Sequence, residues 1–122
     1  MKTVLEICDE IRQTSYEVHE YLGTGFLEKV YENALSHRLQ KKGYVIKQQL
    51  PITVYDEDEY VIGEFAADIL VNDEIIVELK AATDLADKHA AQVMNYLKAT
   101  RKRHGMLINF GSEKFQCRKY IR

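Results

Sequence analysis

The central hairpin of this protein is specified by residues 65–80, which read Phe65-Ala66-Ala67-Asp68-Ile69-Leu70-Val71-Asn72-Asp73-Glu74-Ile75-Ile76-Val77-Glu78-Leu79-Lys80. Two strand-like runs flank the polar triplet Asn72–Glu74, which is typical of a tight turn. A three-residue loop would place Val71 opposite Ile75. A two-residue loop would shift the pairing by one and put the Asp68 carboxylate among apolar side chains, which is unfavourable. The three-residue loop is therefore predicted, and one face of the hairpin is then wholly apolar: Phe65, Ala67, Ile69, Val71, Ile75, Val77 and Leu79.

The same register gathers charged side chains on the other face. Asp68 lies directly opposite Glu78, and Lys80 returns to their face two residues later. Facing carboxylates repel each other, and a divalent cation removes the conflict, since carboxylate and carbonyl oxygens are ligands that Mg²⁺ prefers. Lys80 could then orient a water or stabilise charge on a phosphate. The alternative is that Glu78 and Lys80 are ordinary polar residues at the wet end of a strand.

The rest of the chain predicts helices before the hairpin and on its far side. Thr3 and Glu6 have the spacing of a capping box that opens a first helix, and a second helix follows Gly23-Thr24-Gly25 and ends at Gly43. Further elements are one or two strands over 44–55 kinked at Pro51, a helix that Asp84 caps and that runs to about Arg103, and strands at 106–110 and 115–121. The predicted order is α-α-β-β-β-α-β-β, an α/β or α+β fold with a mixed central sheet flanked by helices. We expect residues 1–122 to form a single domain.

Composition limits the class of protein. A hydrophobic fraction of 46% with 30% charged residues excludes a disordered tail and a membrane protein. No apolar run approaches the roughly 18 residues of a spanning helix, and the start of the chain lacks an export signal. Cys8 and Cys117 form no CxxC pair. Two reduced thiols in a cytoplasmic protein are therefore expected.

Charge is unevenly distributed along the chain. Residues 98–122 carry eight Lys or Arg and one acid, a net of +7, whereas residues 1–97 carry a net of −9. A basic face for phosphates fits this asymmetry, and so does a solvated surface with no partner. Arg101, Lys102 and Arg103 are the candidates for contact with a nucleic-acid backbone.

Three further residues are placed to join the acids. Gln92 and Tyr96 are four apart on the third helix and share a face, and Glu28 opens the second helix, where the helix dipole favours an acid. Their alternative roles are a surface glutamine, a packing tyrosine and a simple helix-start carboxylate.

The run Gly25-Phe26-Leu27-Glu28-Lys29-Val30-Tyr31 resembles the signature of the small bacterial GxxExxY proteins. These belong to the PD-(D/E)XK nuclease superfamily, which has a restriction-endonuclease-like fold. The resemblance extends from about residue 16 to residue 120, through an Asp, a Glu-x-Lys and a Gln-x-x-x-Tyr motif. One departure is Ala67, which stands where many members have proline.

The resemblance implies a role for each matching residue. Asp68 and Glu78 match the superfamily's metal-binding acids, and Glu28 matches the helical acid that completes the metal shell in many members. The implied ligands of Mg²⁺ or Mn²⁺ are Asp68, Glu78, the Leu79 carbonyl and Glu28. The implied catalytic residues are Asp68, Glu78, Lys80, Gln92, Tyr96 and Glu28, the glutamine and tyrosine matching the RecB-like exonuclease branch.

The resulting prediction is a metal-dependent nuclease that hydrolyses phosphodiester bonds of DNA. The alternative is a catalytically idle module that binds nucleic acid or a protein on the same fold. RNA remains an alternative substrate, and the short chain leaves open a homodimer or a protein partner.

Overall fold

The chain forms three α-helices and a five-stranded sheet in the order that its sequence predicts. The computed structural model describes residues 1–122. The elements are α1 (Val4–Leu22), α2 (Glu28–Lys41), β1 (Ile46–Tyr55), β2 (Val61–Val71), β3 (Ile75–Lys80), α3 (Asp87–Thr100), β4 (His104–Asn109) and β5 (Gln116–Ile121). None of the helices combines the length and apolar character that crossing a bilayer requires.

The sheet is mixed, with strand order β1-β2-β3-β4-β5. β3 and β4 are parallel and α3 connects them, whereas the other neighbouring strands are antiparallel. β3 lies in the middle and its first five residues are buried. Burial on both faces explains its nearly continuous apolar sequence.

Helices cover both faces of the sheet, so the fold has three layers. α1 and α2 pack on one face through a cluster that includes Ile11, Leu35 and Val77. α3 packs on the other face through a second cluster that includes Leu97, Ile76 and Leu107. The place where β2 and β3 stop pairing, next to Ile69 and Val77, therefore lies between α2 on one face of the sheet and α3 on the other.

The hairpin register is confirmed, since Val71 pairs with Ile75 and Ile69 with Val77. Five of the seven predicted apolar residues face α1 and α2. The prediction is wrong for Phe65 and Ala67: Ala67 belongs to the α3 cluster, and the Phe65 ring centroid lies 6.0 Å from that of Tyr96 on α3. The alternation of β2 is broken at Asp68, where pairing with β3 ends.

The ends of the helices and the course of β1 agree only in part with the elements predicted from the sequence. β1 is a single strand. Its irregular residue is Gln49, which has a left-handed conformation with φ 54°, and the predicted kink at Pro51 is therefore displaced by two residues. Thr3 and Glu6 form the predicted capping box. Asp84, however, does not cap α3: its Oδ1 accepts hydrogen bonds from the Leu85 N–H and from Gln116 Nε2. The helix ends early because Arg101 adopts a left-handed conformation with φ 60°.

Candidate active site

Two carboxylates interlock at the point where β2 and β3 separate. The Asp68 N–H donates to Glu78 Oε1 over 2.8 Å, and the Leu79 N–H donates to Asp68 Oδ2 over 2.8 Å. Each side chain thus takes the place of a backbone acceptor on the neighbouring strand. The structure therefore brings Asp68 and Glu78 together and fixes one oxygen of each.

Burial makes this arrangement electrostatically unfavourable when both acids are ionised. Glu78 is only 3% exposed, and burial raises its pKa to about 8, with the negative charge of Asp68 adding to the shift. Burial also raises the pKa of Asp68, against the opposing effect of the Leu79 N–H. Burial and like charge therefore favour the protonated form of Glu78.

The remaining oxygens suit a hard divalent cation. Asp68 Oδ1 accepts only a long hydrogen bond of 3.3 Å from Gln49 Nε2, and Glu78 Oε2 accepts none. No group of three His, Cys, Asp or Glu side chains has the geometry of a metal site. The side-chain donors at this place are thus two carboxylates, and the Leu79 carbonyl stays a predicted ligand.

Glu28 lies at the start of α2, close to the two acids. It is exposed at the first residue of α2, and its negative charge contributes only the last and smallest increase to the pKa of Glu78. Glu28 is thus near enough to Glu78 for its charge to act there, and its role in completing a metal shell stays a prediction.

Lys80 presents a free ammonium beside the acids. Its side chain is half-buried and belongs to none of the ion pairs of the protein. Its positive charge lowers the pKa of both Asp68 and Glu78, against the larger effect of burial. The strand is held there by the Phe110 N–H, which donates to the Lys80 carbonyl over 2.8 Å.

α3 brings an amide and a phenol to the same place. Gln92 Nε2 donates to the Tyr96 hydroxyl over 3.2 Å, and Gln92 Oε1 is buried without a hydrogen-bond partner. Burial raises the pKa of Tyr96, and the charges of Glu78 and Asp68 raise it further. The phenol is therefore close to the acids, and the orphaned oxygen can accept a hydrogen bond from a ligand or a water.

Tyr31 shapes the site from a distance. It is fully buried, its ring stacks on Phe110 with centroids 4.7 Å apart, and its hydroxyl donates to the Gly23 carbonyl over 2.6 Å. The same hydroxyl accepts the Phe26 N–H over 3.2 Å. Tyr31 thereby anchors the loop before α2 and sets where Glu28 begins the helix.

Two residues at the site were not predicted. Glu32 is buried and accepts hydrogen bonds from Lys29, Gln48 and Gln49. Gln49 bridges two carboxylates, since its Nε2 lies 2.8 Å from Glu32 Oε1 and 3.3 Å from Asp68 Oδ1. The sequence feature that could have identified Glu32 is its spacing from Glu28, since residues four apart lie on the same face of a helix.

The three candidate nucleic-acid contacts diverge. Arg101 lines a groove along α3 that also contains Gln92 and Tyr96. Lys102 Nζ instead donates to the Asp73 carbonyl over 2.9 Å. Arg103 directly precedes β4. The structure does not bring Lys102 and Arg103 to the acids, because the start of β4 pairs with Ile75 at the opposite end of β3.

Comparisons with known proteins agree with this architecture. The family model of the PD-(D/E)XK nuclease superfamily matches residues 5–121. The crystal structure of SSO0001 is similar with a TM-score of 0.64 and 14% sequence identity, covering 94% of this chain and 63% of that protein. The chain thus spans less than two thirds of the length of SSO0001, with which it shares a fold.

A weaker likeness is to the crystal structure of an alkaline exonuclease (LHK-Exo) from Laribacter hongkongensis. It has a TM-score of 0.44 and 10% identity, over 100% of this chain and 72% of that one. The sequence has no match among curated proteins.

Proposed function

The chain belongs to the PD-(D/E)XK nuclease superfamily and has its restriction-endonuclease-like fold, and from this premise we propose that it is a Mg²⁺- or Mn²⁺-dependent enzyme that hydrolyses phosphodiester bonds of DNA. The observation that carries the proposal is the interlocked pair of Asp68 and Glu78 beside the unpaired ammonium of Lys80. Burial, with the negative charge of Asp68 adding to it, raises the pKa of Glu78 to about 8, and strongly perturbed carboxyl groups of this kind are typical of functional sites.

In this proposal Asp68 Oδ1, Glu78 Oε2 and the Leu79 carbonyl hold the cation, with Glu28 contributing at most through a water. When bound, a divalent cation lowers the pKa of a water and neutralises phosphate charge.

The protein's own groups supply position and charge. Lys80 orients the water that attacks phosphorus, and its positive charge stabilises the phosphate as negative charge develops on it. Gln92 and Tyr96 hold the phosphate oxygens. The water oxygen would form a bond to phosphorus as the bond from phosphorus to the leaving oxygen breaks, and the proton that the water loses would pass through solvent to the leaving oxygen.

The test is cleavage of labelled single- and double-stranded DNA in the presence of Mn²⁺. Asp68→Asn and Lys80→Ala are each expected to reduce the rate by about 100-fold or more. The matched controls are Glu64→Gln and Lys47→Ala, which change an exposed acid and an exposed lysine on the neighbouring strands. Activity that survives Asp68→Asn or Lys80→Ala would contradict the proposal.

One observation favours a second function, a binding module whose site is idle. The carboxylates of Asp68 and Glu78 already accept backbone N–H groups, so they would be useful to the fold without any chemistry. Calorimetric titration with Mn²⁺ separates the two functions. An enzyme is expected to release or absorb heat that Asp68→Asn abolishes, whereas an idle module gives no Mn²⁺-dependent signal.

We also propose that the chain is a member of the GxxExxY branch and that residues 1–122 form one domain. The support for the first is that Gly25 has a φ of 111°, where glycine is favoured, and that Tyr31 anchors the turn before Glu28. The support for the second is that both apolar clusters share a single sheet.

A further inference from the structure

A groove runs along α3 and reaches Tyr96, on which the charges of both acids act. It has a volume of about 730 Å³ and lies between one exposed stripe of α3 and the far ends of β1 and β2. Tyr96 belongs both to this groove and to the surroundings of Asp68 and Glu78, and Gln92, which also lines the groove, donates a hydrogen bond to its hydroxyl. From Lys88 to Arg101 the α3 wall is about 20 Å long, at about 1.5 Å per residue.

The charge of the groove has one sign. Its lining includes Lys88, Lys98 and Arg101 and no acidic residue, although the whole chain has a net charge of −2. None of these three side chains forms an ion pair within the protein. Unpaired cations spaced along a helix suit the regularly spaced phosphates of a nucleic-acid strand.

The other wall of the groove carries aromatic side chains that are open to solvent. Tyr55 is 58% exposed and Phe65 is 51% exposed. The Phe65 ring lies against Gly63, where an added Cβ would come within 2.9 Å of Phe65 Cε2. Aromatic rings that line a basic groove are the platforms on which unpaired bases stack, whereas the bases of a duplex have no free faces.

We propose that this groove binds an unpaired segment of a DNA strand, with its phosphates on Lys88, Lys98 and Arg101 and its bases on Phe65 and Tyr55. The strand would lead the scissile phosphate past Gln92 and Tyr96 to the acids. The inference rests on the proposed function, because it names the form of DNA that the same site accepts. A duplex would meet the same cations but could not use the exposed rings.

The test measures binding in EDTA, where cleavage does not occur. The fluorescence anisotropy of a labelled oligothymidylate and of a matched duplex reports the two affinities. The protein is expected to bind the single strand at least about tenfold more tightly. Phe65→Ala should weaken single-strand binding by about tenfold and leave duplex binding unchanged. Tyr60→Ala is the control, since Tyr60 is 70% exposed in the loop between β1 and β2 but does not line the groove.

A second variant tests the charge independently of the ring. Lys98→Ala should weaken single-strand binding and reduce the slope of log affinity against log salt by about 0.7. Lys41→Ala, an exposed lysine on α2, should leave the slope unchanged.

The outcomes separate this inference from the proposed function. Phe65-dependent binding of single strands by a protein that never cleaves DNA would support the groove and contradict only the nuclease. Cleavage with equal affinity for duplex, or unchanged binding by Phe65→Ala, would overturn the groove and leave the nuclease standing. Tenfold preference for single-stranded RNA, or a dimer that Phe65→Ala dissociates in sedimentation, would also overturn it.

Discussion

The carboxyl group of Glu78 is nearly excluded from solvent at the end of β3, and its pKa of about 8 lies well above the ordinary value of 4.5. Burial is the main cause and the charge of Asp68 adds to it. In the metal-free protein Glu78 is therefore protonated at neutral pH, whereas in the unfolded chain it is ionised. The folded state then holds a proton that the unfolded state lacks between these two pKa values. This contribution to stability is present at low pH and is lost as the pH rises towards 8.

We predict that the free energy of unfolding of the metal-free protein falls between about pH 5 and pH 8, and that Glu78→Gln removes much of this fall. The shift of the Glu78 pKa corresponds to a fall of roughly 3 to 5 kcal/mol in the free energy of unfolding, at about 1.4 kcal/mol per pKa unit. Glutamine stays neutral and keeps an oxygen for the Asp68 N–H. Urea denaturation at a series of pH values in EDTA measures the effect.

The control for this prediction is Glu64→Gln, which removes an exposed acid from β2 and should leave the pH dependence as in the wild type. If Glu78→Gln and the wild type lose stability in parallel over this pH range, Glu78 is not the group that titrates.

The hairpin of β2 and β3 shows why one element can be predicted from sequence and its continuation cannot. The Val71–Ile75 pairing follows from a local pattern, since a register shifted by one residue would bury Asp68 among apolar residues. The reversal at Phe65 and Ala67 has a non-local cause. Opposite Asp68, Gln49 takes a left-handed conformation, and its side chain binds both Glu32 and Asp68.

The candidate site divides in the same way between local and non-local causes. Asp68, Glu78 and Lys80 follow from strand periodicity on adjacent strands. Glu32 could not be identified, because its partners Gln48 and Gln49 lie on β1 and a helical glutamate is usually solvated. The basic run 101–103 was predicted to form one surface. The chain turns at the left-handed Arg101, so Arg101 lines the groove while Lys102 donates to the Asp73 carbonyl.

The chain segment that follows β3 provides a prediction about how the site is held. An added Cβ at Gly111 would lie 2.3 Å from the Ala81 carbonyl carbon and 2.4 Å from the Ala82 nitrogen. Asn109 clamps the same segment, since its side-chain amide accepts the Ala82 N–H and donates to the Ala82 carbonyl, both over 3.0 Å. Backbone held on both sides cannot move away cheaply.

Gly111→Ala is therefore expected to destabilise the protein by about 3 kcal/mol and to displace the backbone directly after Lys80. The control is Gly63→Ala, whose Cβ meets only the Phe65 ring. That half-exposed ring can swing outward, so the loss should be less than about 1 kcal/mol. Thermal or urea unfolding of the two variants decides the point, and equal losses would show that the contact at Gly111 is not rigid.

The site depends on the whole architecture, because its groups come from elements on both sides of the sheet. β2 and β3 supply the acids and Lys80, α3 supplies Gln92 and Tyr96, and α2 supplies Glu32. A ligand that binds Asp68 and Glu78 therefore binds only the folded chain. Its binding free energy adds to the stability of the entire molecule.

Mn²⁺ is accordingly predicted to raise the unfolding temperature of the whole protein. A free concentration of about 100 times Kd adds about 2.7 kcal/mol, which for a domain of this size is a rise of roughly 10 °C. The rise should be larger near pH 8 than near pH 6, because Glu78, with its pKa of about 8, must lose its proton to bind a cation. Asp68→Asn should abolish the rise, whereas Glu64→Gln should keep it. A rise of the same size in Asp68→Asn would place the cation elsewhere on the protein, and a rise that shrinks as the pH increases would show that ionised Glu78 is not one of its ligands.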